Sequence, residues 1–364
     1  MKIAITVLGG ADNPTIWSGT PYGIMQALKE LGHDVHSVNV VPHPRIGSAY
    51  IRLLRATHPR LRGKSAAYIR ESLAFSKILT LNAKTALKKI APDLTIQIGT
   101  GYGMGTHPFV TFEDMTIPQA VKFHWGDTWN ELSSQEVSLR KSLQQQQYEG
   151  ARAVCMATDW AASSATNDYA VLSHKVHAVG LGINKNIPGV TADKDFSHPK
   201  FLFVGNDWER KNGARVVAAF SRLRGEYAQA TLDIVGNTPL IQGEGITVHG
   251  KLSLANPAQQ EKLEELYRAS TVLVVPSLLE PAGIIYAEAA AYGVPSIGTA
   301  VGGASYMIGD GGQVVNPESQ QEIFEAMKRM CDPALAQSLG QKALIHAQEF
   351  TWVKVAQKIL DTAQ

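Results

Sequence analysis

Cysteine is nearly missing from this chain: two in 364 residues, Cys155 and Cys331, far apart and without C-x-x-C spacing. A disulfide framework is therefore excluded, and the two read as buried thiols in a reducing compartment. Net charge is nearly missing too. A formal +2, with 18% charged residues and a pI near 8.4, gives no argument for nucleic acid as a partner. No uninterrupted apolar run approaches the ~18–20 residues of a membrane span. The chain passes from Met1-Lys2 straight into a strand-like run, so no secretory leader is expected and a cytoplasmic protein is. There is no G-x-G-x-x-G, hence no dinucleotide fingerprint in the first loop.

What is there is an ordinary globular composition, 45% hydrophobic, in a chain too long for one core. Two domains are expected. The most informative stretch is Glu280–Thr299, EPAGIIYAEAAAYGVPSIGT. The apolar run Val272–Val275 before it reads as a buried parallel strand, which Pro276 and Ser277 end. Pro281 and Gly283 suit a turn opening a helix over Ile284–Tyr292, stopped by Gly293 and Pro295. The unpaired N–H groups of such a helix start can hold phosphate. Carboxylates accept hydrogen bonds from the hydroxyls of a ribose or a sugar. The unit would thus suit a nucleotide sugar, with the helix start on phosphate, Glu288 on a ribose diol and Glu280 on the transferred sugar. The alternative is a helix carrying two solvated glutamates.

The E-x7-E spacing of Glu280 and Glu288, behind a V-x-V-x-P-S strand end and before EA-A-x-G-x-P, resembles the retaining glycosyltransferases of family 4. The resemblance implies an α/β protein of the GT-B fold, two Rossmann-like domains facing across a cleft. It implies an acceptor-binding domain over 1–184, a nucleotide-sugar domain over 185–345, and a C-terminal helix, 346–364, returning to the first domain. It covers most of the chain from Trp17 to Trp352, but not His43–Thr116.

In chain order, Ile3–Leu8 reads as a strand, Thr20–Leu31 as a helix and Asp34–Val40 as a second strand, a βαβ opening. Gly19 in WSGTPYG is either a turn glycine or a close approach of backbone to phosphate, and the motif resembles a first loop of the family. Between His43 and Pro92 eleven Lys or Arg stand against one acid, Glu71. Tyr50–Arg55 and a long helix over Ser65–Ile90 are expected there. They present either a solvated basic face or a surface for anionic lipid or an acidic acceptor.

Leu94–Ile98 should be the third strand, with the glycine-rich GTGYGMG after it as a ligand floor or a flexible turn. Ile117–Phe123 is expected as a strand with His124 and Asp127 at its C-terminal end, where α/β sheets bind ligands. His124 and Asp127 are the candidates to contact sugar or acceptor hydroxyl. A polar helix over Ser133–Gly150 carries no evident chemistry. Gly180–Asn184 resembles the family's passage between domains, and 184–199 reads as a linker.

Lys200–Val204 opens a second series, followed by GNDWERKNG. Arg210 and Lys211 fall in a loop at a strand end and can neutralise a diphosphate. FVGNDWERKNG resembles the family's Arg/Lys loop in its DWERKGG form, with Asn206 where many members have Arg. Leu232–Val235 and Ile246–His249 are further strands. Lys251 and Leu252 follow the second, where the family lays backbone against the base. Such contacts leave little residue code. UDP or GDP is the expected nucleotide, yet the sequence does not separate them from ADP. Asn256–Ser270 and Glu318–Met330 read as helices, and the last helix is expected to contain Phe350-Thr351-Trp352.

With Ala282, Gly283 and Ile284 at the helix start, these residues make up the expected donor site. No D-x-D stands before the cleft and no cluster of metal ligands is seen, so neither metal nor cofactor is expected beyond the nucleotide-diphosphate sugar itself. The acceptor would be a glycan, a lipid or a small molecule. A nucleotide-sugar epimerase of the same fold and a binding protein without catalysis are the rivals.

Overall fold

The apolar run KIAITV makes an interior strand of a first parallel sheet. In the computed structural model, β1 (Lys2–Val7) pairs with β2 (Asp34–Asn39) on one side and β3 (Leu94–Ile98) on the other. The order is β2-β1-β3-β4-β5-β6, with β4 Phe109–Glu113, β5 Val154–Met156 and β6 Val176–Ala178, every pairing parallel. A second sheet has the order β12-β11-β10-β7-β8-β9. Its strands are β7 Lys200–Val204, β8 Thr231–Val235, β9 Ile246–Gly250, β10 Val272–Val274, β11 Ser296–Thr299 and β12 Gly312–Val315. The structure describes residues 1–126, 129, 131–184, 194–253 and 256–364, with only the backbone at 44, 60 and 67. They fall into one unit of Met1–Gly182 with Trp352–Gln364, and another of Ile183–Thr351.

In the first unit β3 and β4 are buried along their whole length, as strands covered by helices on both faces must be. The basic stretch is amphipathic. Its apolar residues Leu54, Phe75 and Leu79 join Ala4 and Val38 in one core, while most of its cations face solvent. The closing helix Trp352–Thr362 belongs to this unit, and Trp352 packs where Gly23 and Gly182 carry no side chain.

Three sequence expectations need correction. Ile117–Phe123 is not a strand but a helix, Ile117–Lys122, opened by a capping box of Thr116 and Gln119 with Pro in its first turn. The strand is Phe109–Glu113, whose buried Thr111 and Glu113 interrupt the apolar run that would have marked it. The helix expected over Ser65–Ile90 is two, Ala66–Arg70 and Leu73–Ile90, because Ser72 caps the second by accepting from Phe75 N. Phe350 and Thr351 precede the last helix, and a further helix, Pro333–Ala347, stands before them. Gly312 opens β12, where a side chain would lie 2.1 Å from the Ser296 backbone oxygen.

Candidate active site

The parallel strands of the second unit bring their C-terminal ends to one edge, where open α/β sheets bind ligands. Two loops meet there. The loop after β7, 205–212, is fixed by Asn212, which sits in the left-handed region and caps the helix Gly213–Arg224. Its buried amide donates to Pro276 O at 3.1 Å and Pro317 O at 2.7 Å. Leu278 N donates to Arg210 O at 2.8 Å, so the loop after β10 is tied to the same place.

This tie puts the charged side chains in contact. Glu280 Oε2 accepts from Lys211 Nζ, from Ser277 Oγ at 3.2 Å and from Arg210 Nη1 at 3.4 Å. Arg210 also donates to Leu279 O at 3.0 Å and pairs with Asp207 at 3.1 Å. Glu280 and Lys211 are nearly buried, and Arg210 is partly open. Burial pushes the Glu280 carboxyl pKa up. Lys211, then Arg210, outweigh that and hold it below its ordinary value. The glutamate is therefore a carboxylate at neutral pH, and its main chain is held as well. Glu280 N donates to Val301 O, and Glu280 O accepts from Gly303 N at 2.9 Å. Gly302 lets that segment pass, since a side chain there would lie 2.1 Å from Glu280 O.

Gly283, at φ +83, caps the helix Ile284–Ala290, and a Cβ on it would collide with the Tyr286 ring and with Glu280 Cγ. Ala282 is buried and Ile284 half-buried. The helix has 7 residues, shorter than expected, so its macrodipole adds little and the two cations dominate the local field. Glu288 lies further along it, buried, and accepts from the Tyr267 hydroxyl at 3.2 Å. Lys251 is exposed and Leu252 half-buried after the edge strand β9. Arg210, Lys211, Glu280 and the Gly283 turn thus come together, and Glu288 stands apart from the ion cluster on its own partner.

Gly19 and His124 belong to the first unit. Gly19, at φ +87, caps the helix Thr20–Glu30, next to Trp17 and Ser18, which share its left-handed region. His124 is exposed at the end of a helix and is left-handed at φ +52, so the strand end proposed for it does not exist. Asp127 lies outside the described residues. A cavity of about 280 Å³ opens instead at the ends of β1, β3 and β4, lined by Trp17, Thr100, Glu113, Trp125, Trp129 and Gln144. Glu113 is buried and accepts from Thr100 N, Thr100 Oγ1, Gln144 Nε2 and Tyr148 Oη at 2.6–3.0 Å. Desolvation pushes its pKa up to about 7, against these hydrogen bonds.

Sequence reading missed Ser277, Asn212, Tyr267 and Glu113. A polar Ser and Asn beside the E-x7-E and DWERK segments could have marked the first two. Tyr267 reaches Glu288 from another helix, and no local pattern announces such a pairing. Among the described residues no three His, Cys, Asp or Glu side chains are grouped to hold a metal ion.

Residues 198–332 match the family described as glycosyl transferases group 1. The D-inositol 3-phosphate glycosyltransferase of Streptomyces griseus is 37% identical over 108 residues, 29% of this chain and 23% of that protein. The alpha-maltose-1-phosphate synthase of Mycobacterium tuberculosis is 28% identical over 185 residues, 46% of this chain and 48% of that one. The matches thus span about a quarter to a half of these curated relatives. Over nearly its whole length the chain is similar in fold to the sucrose-phosphate synthase of Thermosynechococcus elongatus (TM-score 0.67, 20% identity, 99% and 98% of the two chains). It is also similar to WaaG, a glycosyltransferase involved in lipopolysaccharide biosynthesis (TM-score 0.65, 17% identity, 99% and 98%). The chain therefore has the two-sheet α/β architecture of GT-B glycosyltransferases, and its second unit carries the sequence pattern of glycosyl transferases group 1.

Proposed function

We propose that this protein is a retaining glycosyltransferase of the family 4 type, moving a hexose from a nucleotide-diphosphate sugar to an acceptor hydroxyl. The observation that carries the reading is the cluster of Arg210, Lys211, Ser277 and Glu280 at the carboxyl edge of the second sheet, inside the matched family segment. Two cations beside one ionised, backbone-fixed glutamate suit a diphosphate joined to a sugar. The cations meet the phosphates and the carboxylate accepts sugar hydroxyls.

In the transfer, the bond from the anomeric carbon to the phosphate oxygen breaks and its electron pair leaves with the nucleoside diphosphate. The acceptor oxygen bonds to the same face of that carbon, and its proton passes to the departing phosphate oxygen. Negative charge grows on that phosphate, where Arg210 and Lys211 stabilise it without a metal ion. Glu288 accepts from the ribose hydroxyls, and Ala282, Gly283 and Ile284 line the phosphate with backbone. Lys251 and Leu252 lie against the base, which is that of UDP or GDP. A complex of a similar fold, Anabaena HepE, holds UDP and glucose. Gly19, His124 and Asp127 are the first unit's candidates for contact with donor phosphate and acceptor. No described helix is long and apolar enough to cross a membrane, and we place the protein in the cytoplasm, at most peripheral to a membrane through its basic stretch.

The test is to incubate the protein with UDP- and GDP-hexoses and an acceptor panel, with and without EDTA, and to determine the product's anomeric configuration. EDTA-resistant transfer with retention is expected. An epimerised sugar nucleotide formed without acceptor, or nucleotide binding with neither transfer nor donor hydrolysis, overturns the reading.

A further inference from the structure

Two cavities adjoin within the first unit. The inner one is the polar cavity of about 280 Å³ floored by Thr100, Glu113 and Gln144. The outer one, about 390 Å³, is walled by Leu61, Leu73, Ala74, Leu132 and Leu139 from the basic stretch and the segment before Arg140. Its size is that of a pocket for a small ligand rather than a packing defect. Glu71 and Arg140 line both cavities, so their ion pair, 2.5 Å from Arg140 Nη2 to Glu71 Oε2, stands at the junction. Arg140 is buried, and its Nε has no hydrogen-bond partner among the described residues. A guanidinium N–H is a donor with no acceptor capacity, and leaving one buried and unpaired is costly.

We propose that the two cavities form one composite site for a single-chain amphiphilic acceptor. Its hydroxylated head enters the inner cavity, its neck passes the Glu71–Arg140 pair, and its alkyl chain fills the outer cavity. That the ligand is an acceptor rests on the glycosyl-transfer reading; that it is amphiphilic rests on the cavities alone. A water-soluble sugar would satisfy the inner cavity and gain nothing from the outer one. Each methylene buried there strengthens binding about four-fold. The exposed cations of the surrounding helices favour delivery from an anionic lipid surface.

The experiment is calorimetric titration of the whole protein with methyl, hexyl and octyl β-glucoside and with 1-O-octylglycerol, all below micelle-forming concentration. Affinity should rise steeply with chain length, and octyl should exceed methyl by at least about a hundred-fold, the rise expected if only half of the seven added methylenes are buried. Ala74→Phe, which fills the outer cavity, and Leu139→Glu, a change at an exposed wall residue, should each abolish most of that rise. Circular dichroism checks that both variants fold, and the exposed Leu139 site keeps the test open should Ala74→Phe not fold. Equal affinities along the series, a rise that survives both variants, or failure of every octyl probe to bind overturns the proposal. The titration needs no sugar nucleotide. A chain-length rise without transfer activity would sink the transfer reading alone. Transfer to soluble sugars without a rise would sink the amphiphile alone.

Discussion

Lys211 and Glu280, 69 residues apart in sequence, form a nearly buried ion pair, the Lys211 Nζ donating to the Glu280 Oε2. Their roles are therefore coupled. A cation assigned to phosphate and a carboxylate assigned to sugar hold each other in place, so neither can be changed without disturbing the other.

Removing Lys211 takes away the stronger of the two cations on a buried carboxylate and leaves Glu280 with the longer contact to Arg210, 3.4 Å. Lys211→Met should destabilise the protein by about 3–5 kcal/mol and shift the Glu280 carboxyl pKa upward. Lys211→Met with Glu280→Gln should recover most of that stability while transfer stays lost. Urea midpoints of the two variants check this. A double variant as unstable as the single one would show that the pair is not the cause.

Glu288 is assigned to a ribose diol, and that assignment can be isolated from stability. Glu288→Gln should weaken UDP or GDP binding about ten-fold, as expected when a charge-assisted hydrogen bond becomes a neutral one. The same change should cost almost nothing against the 2′,3′-dideoxy nucleotide, which offers no diol. Equal losses for both nucleotides would remove Glu288 from the ribose.

Glu113 gives the first unit a pH signature. Its carboxyl is raised from an ordinary 4.5 to about 7 by burial, so between those values the folded state holds a proton that the unfolded state has released. Stability from this group is present at low pH and is lost as pH rises through that window, a change of roughly 3 kcal/mol. In denaturant titrations from pH 5 to 8 the wild-type curve should carry this downward component. Glu113→Gln should flatten it, because an amide does not titrate in that window.

Trp352 fills space that Gly182 leaves. A Cβ at Gly182 would lie 2.2 Å from the indole. Gly182→Ala should cost about 1–3 kcal/mol by overpacking. Trp352→Leu in that background should relieve part of the clash, which melting temperatures of the two variants would show.

By itself the sequence determined the alternation of strands and helices, because buried parallel strands read as apolar runs and helix starts carry local capping residues. It also determined the two segments that hold the charged cluster, since Arg210-Lys211 and Glu280-x7-Glu288 lie at strand ends whatever packs around them. It misplaced β4, where the buried carboxylate of Glu113 breaks the apolar pattern, and so gave His124 a strand end it does not occupy. Tertiary structure alone decided that Lys211 meets Glu280, that Tyr267 meets Glu288 and that Arg140 stands between two cavities. The physical reason is range: propensity and capping act within about four residues of a chain. Which charges neutralise one another is fixed by how parallel strands align their ends, across tens of residues of intervening helix.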